Sequence, residues 1–219
     1  MRNNRRKKLL LLPLLLLTLN SCIGLSMDIQ MRRNGSGRIF MEYRISRMAE
    51  SLGRLDSNGN RPVIPAGRED LERTIERNPG MRLISFSLKE GRQDTVINAA
   101  MEYDNTEALL KFLDPSGTKA TLIRENQSGR LNLILNEPAS SQYDEELINL
   151  MREVFDGYNF SISFSAEGNS AMTFTDGEGN AASPPQSANI VQSGRKVSLS
   201  MGIMEILNLT DGFGVNISW

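Results

Sequence analysis

The fold of this chain is indicated first by residues 25–45, which read LSMDIQMRRNGSGRIFMEYRI. Apolar residues occupy every second position on both sides of residues 34–37, Asn-Gly-Ser-Gly, which tolerate a positive φ. Alternation with a period of two is typical of a strand that buries one face. Two such runs around a glycine-rich turn predict an antiparallel hairpin.

The same order recurs further along the chain, followed each time by a helical pattern. A second hairpin is predicted from the alternating residues 84–88 and 97–103. Asp104 and Glu107 then have the spacing of a capping box, which predicts a helix that stops at Pro115. The unit is therefore a hairpin followed by a helix.

A third unit of this kind is predicted between residues 119 and 156. Its strands are 119–126 and 130–136, and its helix starts at Ser141 with apolar residues at helical spacing. Acidic residues 144–146 lie near the start of that helix, where the helix dipole favours negative charge.

Shorter helices are predicted at residues 46–56, 68–77 and 204–207, and strand patterns predominate after Gly157. The predicted fold class is α+β: an antiparallel sheet built from successive hairpins, two to four helices packed on one face, and a strand-rich C-terminal part. We expect residues 22–156 to form the hairpin-and-helix region and residues 157–219 to belong to the same domain.

The N-terminal segment, residues 1–21, has the pattern of a lipoprotein signal peptide. Five basic residues precede the leucine-rich stretch 9–17, which is too short to cross a bilayer as a helix. The sequence Leu19-Asn20-Ser21-Cys22 resembles the lipobox of bacterial lipoproteins, which signal peptidase II cleaves. This resemblance implies cleavage between Ser21 and Cys22 and attachment of acyl chains, such as palmitate, to Cys22. The alternative interpretation makes Cys22 a buried core thiol.

Lipidation of Cys22 would decide where the domain resides. Two or more acyl chains hold a protein on a membrane almost permanently, whereas a single chain anchors it only marginally. We therefore expect a domain outside the cytoplasm, anchored to a membrane of the bacterial cell envelope. The residue after Cys22 is Ile23 and not the aspartate that retains some lipoproteins at the inner membrane, which favours the outer membrane.

Removal of residues 1–21 makes the domain acidic. The whole chain has 25 basic and 26 acidic residues, and the signal peptide carries five of the basic residues and no acidic one. The mature chain therefore has 20 basic and 26 acidic residues, a net charge of −6. This charge disfavours binding to the phosphate backbone of nucleic acid.

Several kinds of chemistry are excluded by composition. The chain has no histidine and one cysteine, so histidine-dependent catalytic triads and cysteine–histidine dyads are impossible. We predict no catalytic residue, no metal ligand and no cofactor. Residues 176–180, Asp-Gly-Glu-Gly-Asn, offer oxygen ligands as calcium loops do, but lack the EF-hand order. The carboxylates at 144–146 are better explained by the helix dipole than as a glycosidase pair.

Methionines on predicted strand faces allow two interpretations. Ten methionines remain after cleavage, because the chain has 11 and one is Met1. Flexible thioethers on strands either fill irregular gaps in a core or line an adaptable pocket. The positions concerned are Met27, Met31, Met41, Met101 and Met172.

Residues 25–105 resemble LppM-type bacterial lipoproteins in the strand-Gly-Ser-Gly-strand opening and the helical segment after it. This resemblance implies an envelope domain that engages lipids or glycolipids. The function predicted from the sequence is a membrane-anchored, non-catalytic binding module that contacts an envelope protein or an amphiphile. A lipid or glycolipid carrier with an apolar pocket is the alternative, and a carboxylate-based hydrolase is the third hypothesis.

Overall fold

The structure of the protein is a computed structural model that describes residues 23–46, 67–92, 94–126, 128–137, 149, 152 and 155–219. These residues contain twelve strands and three helices. The strands are β1 (Ile23–Met31), β2 (Gly37–Ser46), β3 (Met81–Glu90), β4 (Asp94–Tyr103), β5 (Ala120–Glu125), β6 (Ser128–Asn136), β7 (Asn159–Ser165), β8 (Ala171–Thr175), β9 (Ala181–Ala182), β10 (Asn189–Ser193), β11 (Lys196–Gly202) and β12 (Phe213–Ser218). The helices are α1 (Arg68–Glu76), α2 (Thr106–Leu113) and α3 (Ile203–Leu207).

Seven strands form the large sheet, in the order β10-β11-β7-β1-β2-β4-β3. The predicted hairpin of residues 25–45 is present, since Leu25 pairs with Tyr43 and Met31 with Gly37. The second predicted hairpin is present as the antiparallel pair of β3 and β4. On its other side, β1 pairs in parallel with β7, more than 100 residues away along the chain. The large sheet is therefore mixed.

Five strands form the small sheet, in the order β5-β6-β12-β8-β9. Its pairs are all antiparallel, and they include the third predicted hairpin, β5 with β6. The last strand of the chain, β12, lies in the interior of this sheet between β6 and β8. Trp219, directly after β12, stacks its ring on Phe164 of the large sheet with the ring centroids 4.8 Å apart.

One hydrophobic core lies between the two sheets. Ile29, Ile39 and Met101 from the large sheet are fully buried in the same cluster as Leu131 and Ile217 from the small sheet. In each strand the residues at alternate positions face this core, because successive side chains of a strand point to opposite faces of the sheet. The other face of the large sheet, turned away from the small sheet, is called the outer face below.

The predicted α+β class is wrong. The apolar face of the large sheet is covered mainly by the small sheet, and the structure is strand-dominated, with 53% strand and 16% helix. The three described helices have nine, eight and five residues, which is too little surface to cover seven strands. The sequence predicts a single antiparallel sheet, but the third hairpin together with β8, β9 and β12 forms a second sheet, while β7, β10 and β11 join the first.

The helices occupy the ends and edges of the sheets. Helix α1 agrees with the predicted helix 68–77 and buries Leu71 and Ile75. Helix α2 begins one residue later than predicted, because the side chain of Asn105 accepts the hydrogen bond from the Ala108 backbone amide at 2.9 Å. The predicted helix at 46–56 lies outside the described residues. Of the helix predicted from Ser141, only positions 149, 152 and 155 are described, and they are helical.

Candidate binding surface on the outer face of the large sheet

Strand register places the residues of the outer face in rows that cross the sheet. The central row is Asp28, Phe40, Ala100 and Ser85 on β1, β2, β4 and β3. On one side of it lies the row Ser26, Glu42, Asn98 and Ser87, and on the other side lies the row Gln30, Arg38, Glu102 and Arg82. The outer face is therefore polar, and one aromatic side chain stands within these three rows.

That aromatic residue, Phe40, lies in a depression of about 320 Å³. Its side chain is 40% exposed, between the direct cross-strand neighbours Asp28 and Ala100. Ser26, Ser85 and Ala100 line the depression. Their side chains are small, which leaves space around the ring of Phe40. An aromatic ring at such a place presents a face and an edge to whatever enters the depression.

Asp28, on one side of the ring, is engaged by Lys196. Nζ of Lys196 lies 3.1 Å from Oδ2 of Asp28, across the serine-rich strand β7. Ser163 and Ser165 on β7 are short enough for the lysine chain to pass over them. Oδ1 of Asp28 is enclosed and has no hydrogen-bond donor among the described residues. The positive charge of Lys196 offsets the negative charge of Asp28 at this side of the depression.

Arginines surround a single carboxylate, that of Glu102, in the third row. Nε of Arg38 donates to Oε1 of Glu102 at 2.8 Å, and Nη2 of Arg82 donates to Oε2 at 3.0 Å. A third guanidinium belongs to Arg32, whose Nη2 lies 3.6 Å from Oε1 of Glu102. The hydrogen bond from Arg38, followed by that from Arg82, lowers the pKa of Glu102 to about 2. Three guanidinium groups around this carboxylate leave a surplus of positive charge here, which Asp104 reduces by pairing with Arg82 at 3.4 Å. The three arginines are 49–59% exposed, whereas Glu102 is only 13% exposed.

A second depression, of about 270 Å³, lies where α1 ends and α2 begins. Its buried residue Asn78 donates from Nδ2 to the backbone carbonyl of Ala108 at 2.9 Å. Oδ1 of Asn78 has no partner among the described residues. Lys111 and Glu107 on α2 line the same depression with opposite charges. The hydrogen bond of Asn78 connects the two helices, which is a structural role.

The lipidation residues Ser21 and Cys22 lie outside the described residues, as do the carboxylates at 144–146. The described part begins at Ile23, already within β1. The loop 176–180 is described, and Asp176 uses its carboxylate within the loop by accepting hydrogen bonds from the backbone amides of Glu178 and Asn180. Across the described residues, no group of three or more carboxylate, cysteine or histidine side chains could hold a metal ion.

The methionines singled out in the sequence face the core. Met31, Met101 and Met172 are buried, and Met27 and Met41 pack partly buried against the core. They fill space between the sheets and do not line the depression at Phe40, apart from the edge contributed by Met41.

Phe40 and Arg38 were not predicted from the sequence as site residues. A signal for Phe40 is nevertheless visible in β2, where the outward positions read Arg38, Phe40, Glu42 and Arg44. An aromatic residue at a charged position of an alternating strand is the pattern that would have found it.

Among the residues that the structure describes, no helix is both long and apolar enough to span a membrane. The chain matches no protein-family model and no curated protein. Among solved structures, it aligns with a chimeric titin Z1Z2 functionalized with a KLER exogenous peptide from decorin. That alignment covers 84% of this chain and 80% of the other, with 10% identity and a TM-score of 0.17, a level of similarity that supports no conclusion about fold or function.

Proposed function

We propose that this protein is a lipid-anchored bacterial envelope protein whose domain is a non-catalytic binding module, with its ligand on the outer face of the large sheet. The observation that carries the binding surface is the exposed ring of Phe40 in a depression, within three rows that are otherwise formed by polar residues and Ala100. Two carboxylates on this face already have cationic partners, Asp28 in Lys196 and Glu102 in the arginines. That arrangement supports recognition more than carboxylate chemistry.

The position of β1 relates the surface to the proposed anchor. Strand β1 begins at Ile23, the residue after Cys22, so the strand leads from the lipidated residue into the sheet without a linker. Asp28 is six residues from Cys22, a distance of at most about 20 Å along an extended strand. A ligand on the outer face would therefore be held near the membrane to which Cys22 is attached, which we propose to be the outer membrane.

The anchor is tested with Cys22→Ala in the full chain, expressed in a bacterium. We expect an uncleaved or soluble product that no longer partitions into the detergent phase. Ser21→Ala is the matched control, because a small residue remains before the cysteine, and its processing should be normal. Detergent partitioning of Cys22→Ala that equals that of the unaltered chain would refute the anchor.

The binding surface is tested by photo-crosslinking in intact cells. A photoreactive amino acid at Ser85, which lines the depression, should give adducts with an envelope component. The control position is Thr121, which is exposed on β5 of the small sheet. Absence of adducts from Ser85, or the same adducts from both positions, would contradict the proposal.

A further inference from the structure

Resting on the proposed function, we propose that the outer face binds a sugar chain that carries carboxylates, with one ring stacked on Phe40 and the carboxylate of that ring or its neighbour bound by Arg38.

Phe40 offers the stacking platform. Its ring is 40% exposed and is flanked by Ala100, whose side chain is a single methyl group. The face of an aromatic ring carries partial negative charge and attracts the weakly positive C–H groups on the flat side of a pyranose. Hydroxyl and amide groups of Ser26, Ser85 and Asn98 line the same depression and can exchange hydrogen bonds with ring hydroxyls.

Arg38 offers the charged contact. It lies on the same strand and face as Phe40, two residues away, which corresponds to about 7 Å along an extended strand. Only its Nε is engaged by Glu102. Its two terminal nitrogens have no partner among the described residues, and the side chain is 49% exposed. Guanidinium nitrogens bind carboxylates in pairs, with hydrogen bonds stronger than those between neutral groups.

Glu42 limits where the negative charge of the ligand can lie. It is two residues from Phe40 on the side opposite to Arg38 and lines the same depression. A second carboxylate there would be repelled, whereas a sugar hydroxyl or acetamido group could donate a hydrogen bond to Glu42. The charged residues that line the depression are Glu42 and Asp28, which is paired with Lys196, whereas Arg38 lies just beyond the depression in the next row. The surface is thus positive on the Arg38 side of Phe40 and negative on the Glu42 side, which favours a chain of alternating acidic and neutral rings over a chain with a carboxylate on every ring.

Two other kinds of ligand fit only part of this surface. A peptide of glutamate residues alone could bind Arg38 but has no flat apolar face for Phe40. A neutral sugar chain could stack on Phe40 but would leave the terminal nitrogens of Arg38 to water. Both therefore serve as comparison ligands.

The experiment uses the full chain purified in detergent and isothermal titration calorimetry with three probes. These are hyaluronan hexasaccharide, in which carboxylated and acetamido rings alternate, chitohexaose, in which every ring is neutral, and hexaglutamate. We expect hyaluronan hexasaccharide to bind most tightly. Phe40→Ala should weaken that binding about tenfold. Arg38→Gln should weaken it about tenfold and abolish the preference over chitohexaose.

Two control variants separate binding from stability. Arg82→Gln removes an arginine that bonds the same Glu102, but from β3, away from Phe40. Val191→Ala removes an apolar residue that is 54% exposed on β10, the strand at the edge of the large sheet opposite β3. Val191→Ala should bind hyaluronan hexasaccharide with unchanged affinity, and Arg82→Gln, which leaves Arg38 in place, should lose clearly less affinity than Arg38→Gln.

The sugar proposal is overturned by any of three results: no binding of hyaluronan hexasaccharide, equal binding of hexaglutamate or chitohexaose, or equal losses in Arg38→Gln and Arg82→Gln. Protein adducts from Ser85 together with no sugar binding would remove this inference and leave the binding module in place. Absence of adducts and of sugar binding would remove both.

Discussion

The two faces of the large sheet differ completely although the same strands make both. On the inner face, Ile29, Ile39 and Met101 are fully buried against the small sheet. On the outer face, one residue along each strand, Asp28 and Ala100 flank the exposed Phe40. Because neighbouring residues point to opposite faces, the sequence can change one face without changing the other. Stability is expected to depend on the inner face and ligand binding on the outer face.

The largest effect should come from Phe164→Ala on the inner face. Phe164 is fully buried in β7 and stacks on Trp219, which joins the large sheet to the end of the small sheet. Loss of the ring should lower the free energy of unfolding by about 3–5 kcal/mol, through lost burial and the cavity left behind. Urea denaturation of the full chain in detergent measures this. A loss below about 1 kcal/mol would show that the two sheets do not share one core.

A smaller loss of unfolding free energy is expected when Asp114 is replaced, a buried polar residue that belongs to neither face of the large sheet. Asp114 is buried between α2 and β5, where its carboxylate accepts hydrogen bonds from the backbone amides of Ser116, Lys119 and Ala120. Asp114→Ala leaves these donors without their acceptor, which should cost roughly 1–3 kcal/mol of unfolding free energy. Urea denaturation again provides the measurement. Unchanged stability would show that water replaces the carboxylate without loss.

The same residue gives stability a dependence on pH. Desolvation raises the pKa of Asp114, but the hydrogen bonds from Ser116, Lys119, Ala120 and Gly117 outweigh it and lower the pKa from 3.8 to about 2. A carboxyl with a lowered pKa stabilises the folded state above its ordinary pKa, and this contribution is lost as the pH falls from about 4 to about 2. In Asp114→Asn this part of the acid-induced loss should be absent. An identical acid transition in both chains would contradict the assignment.

Glu102→Gln should lower the stability of the fold still less, since it alters only the outer face. The arginine partners would lose their shared carboxylate, but they are about half exposed and can be solvated. We expect a loss of thermal stability smaller than that of Asp114→Ala, and one that shrinks as salt is added, because screening weakens exposed ion pairs. A loss of thermal stability that does not change with salt would mean that Glu102 stabilises the fold through packing and not through its charge.

The smallest effect on stability should come from Phe40→Ala. It is the same chemical change as Phe164→Ala, made on the opposite face of the same sheet. With its side chain 40% exposed, its removal should change the free energy of unfolding by less than about 1 kcal/mol. A loss as large as that of Phe164→Ala would abolish the distinction between the faces.

The hairpins could be predicted from the sequence because their signals are local. Gly35 adopts a positive φ of 84° in the first turn, as its position between two alternating runs predicts. The pairing of β1 with β7 could not be predicted, because nothing local in residues 23–31 names a partner strand at 159–165. The same limit led to the wrong fold class. An apolar strand face must be covered, but alternation does not say whether a helix or a second sheet covers it.

The candidate site was less predictable than the fold. Phe40 is not among the predicted site residues, because the sequence does not show that Ala100 lies beside it on β4, or that Ser85 follows on β3. The carboxylates considered in the sequence were neighbours along the chain. Those on the outer face, Asp28, Glu42 and Glu102, are brought together only by strand register.

The interior positions of β1 and β12 also set an order of folding. A chain that emerges from export with its N-terminus first can pair β1 with β2 early, but the other edge of β1 stays open until β7 is available. An open strand edge is a template for pairing with other chains, and contacts distant in sequence form slowly. The small sheet also waits, because β12 joins β6 to β8 only when the last residues arrive. If the chain is exported and anchored as proposed, nascent copies side by side on a membrane would need protection from a chaperone until translocation is complete.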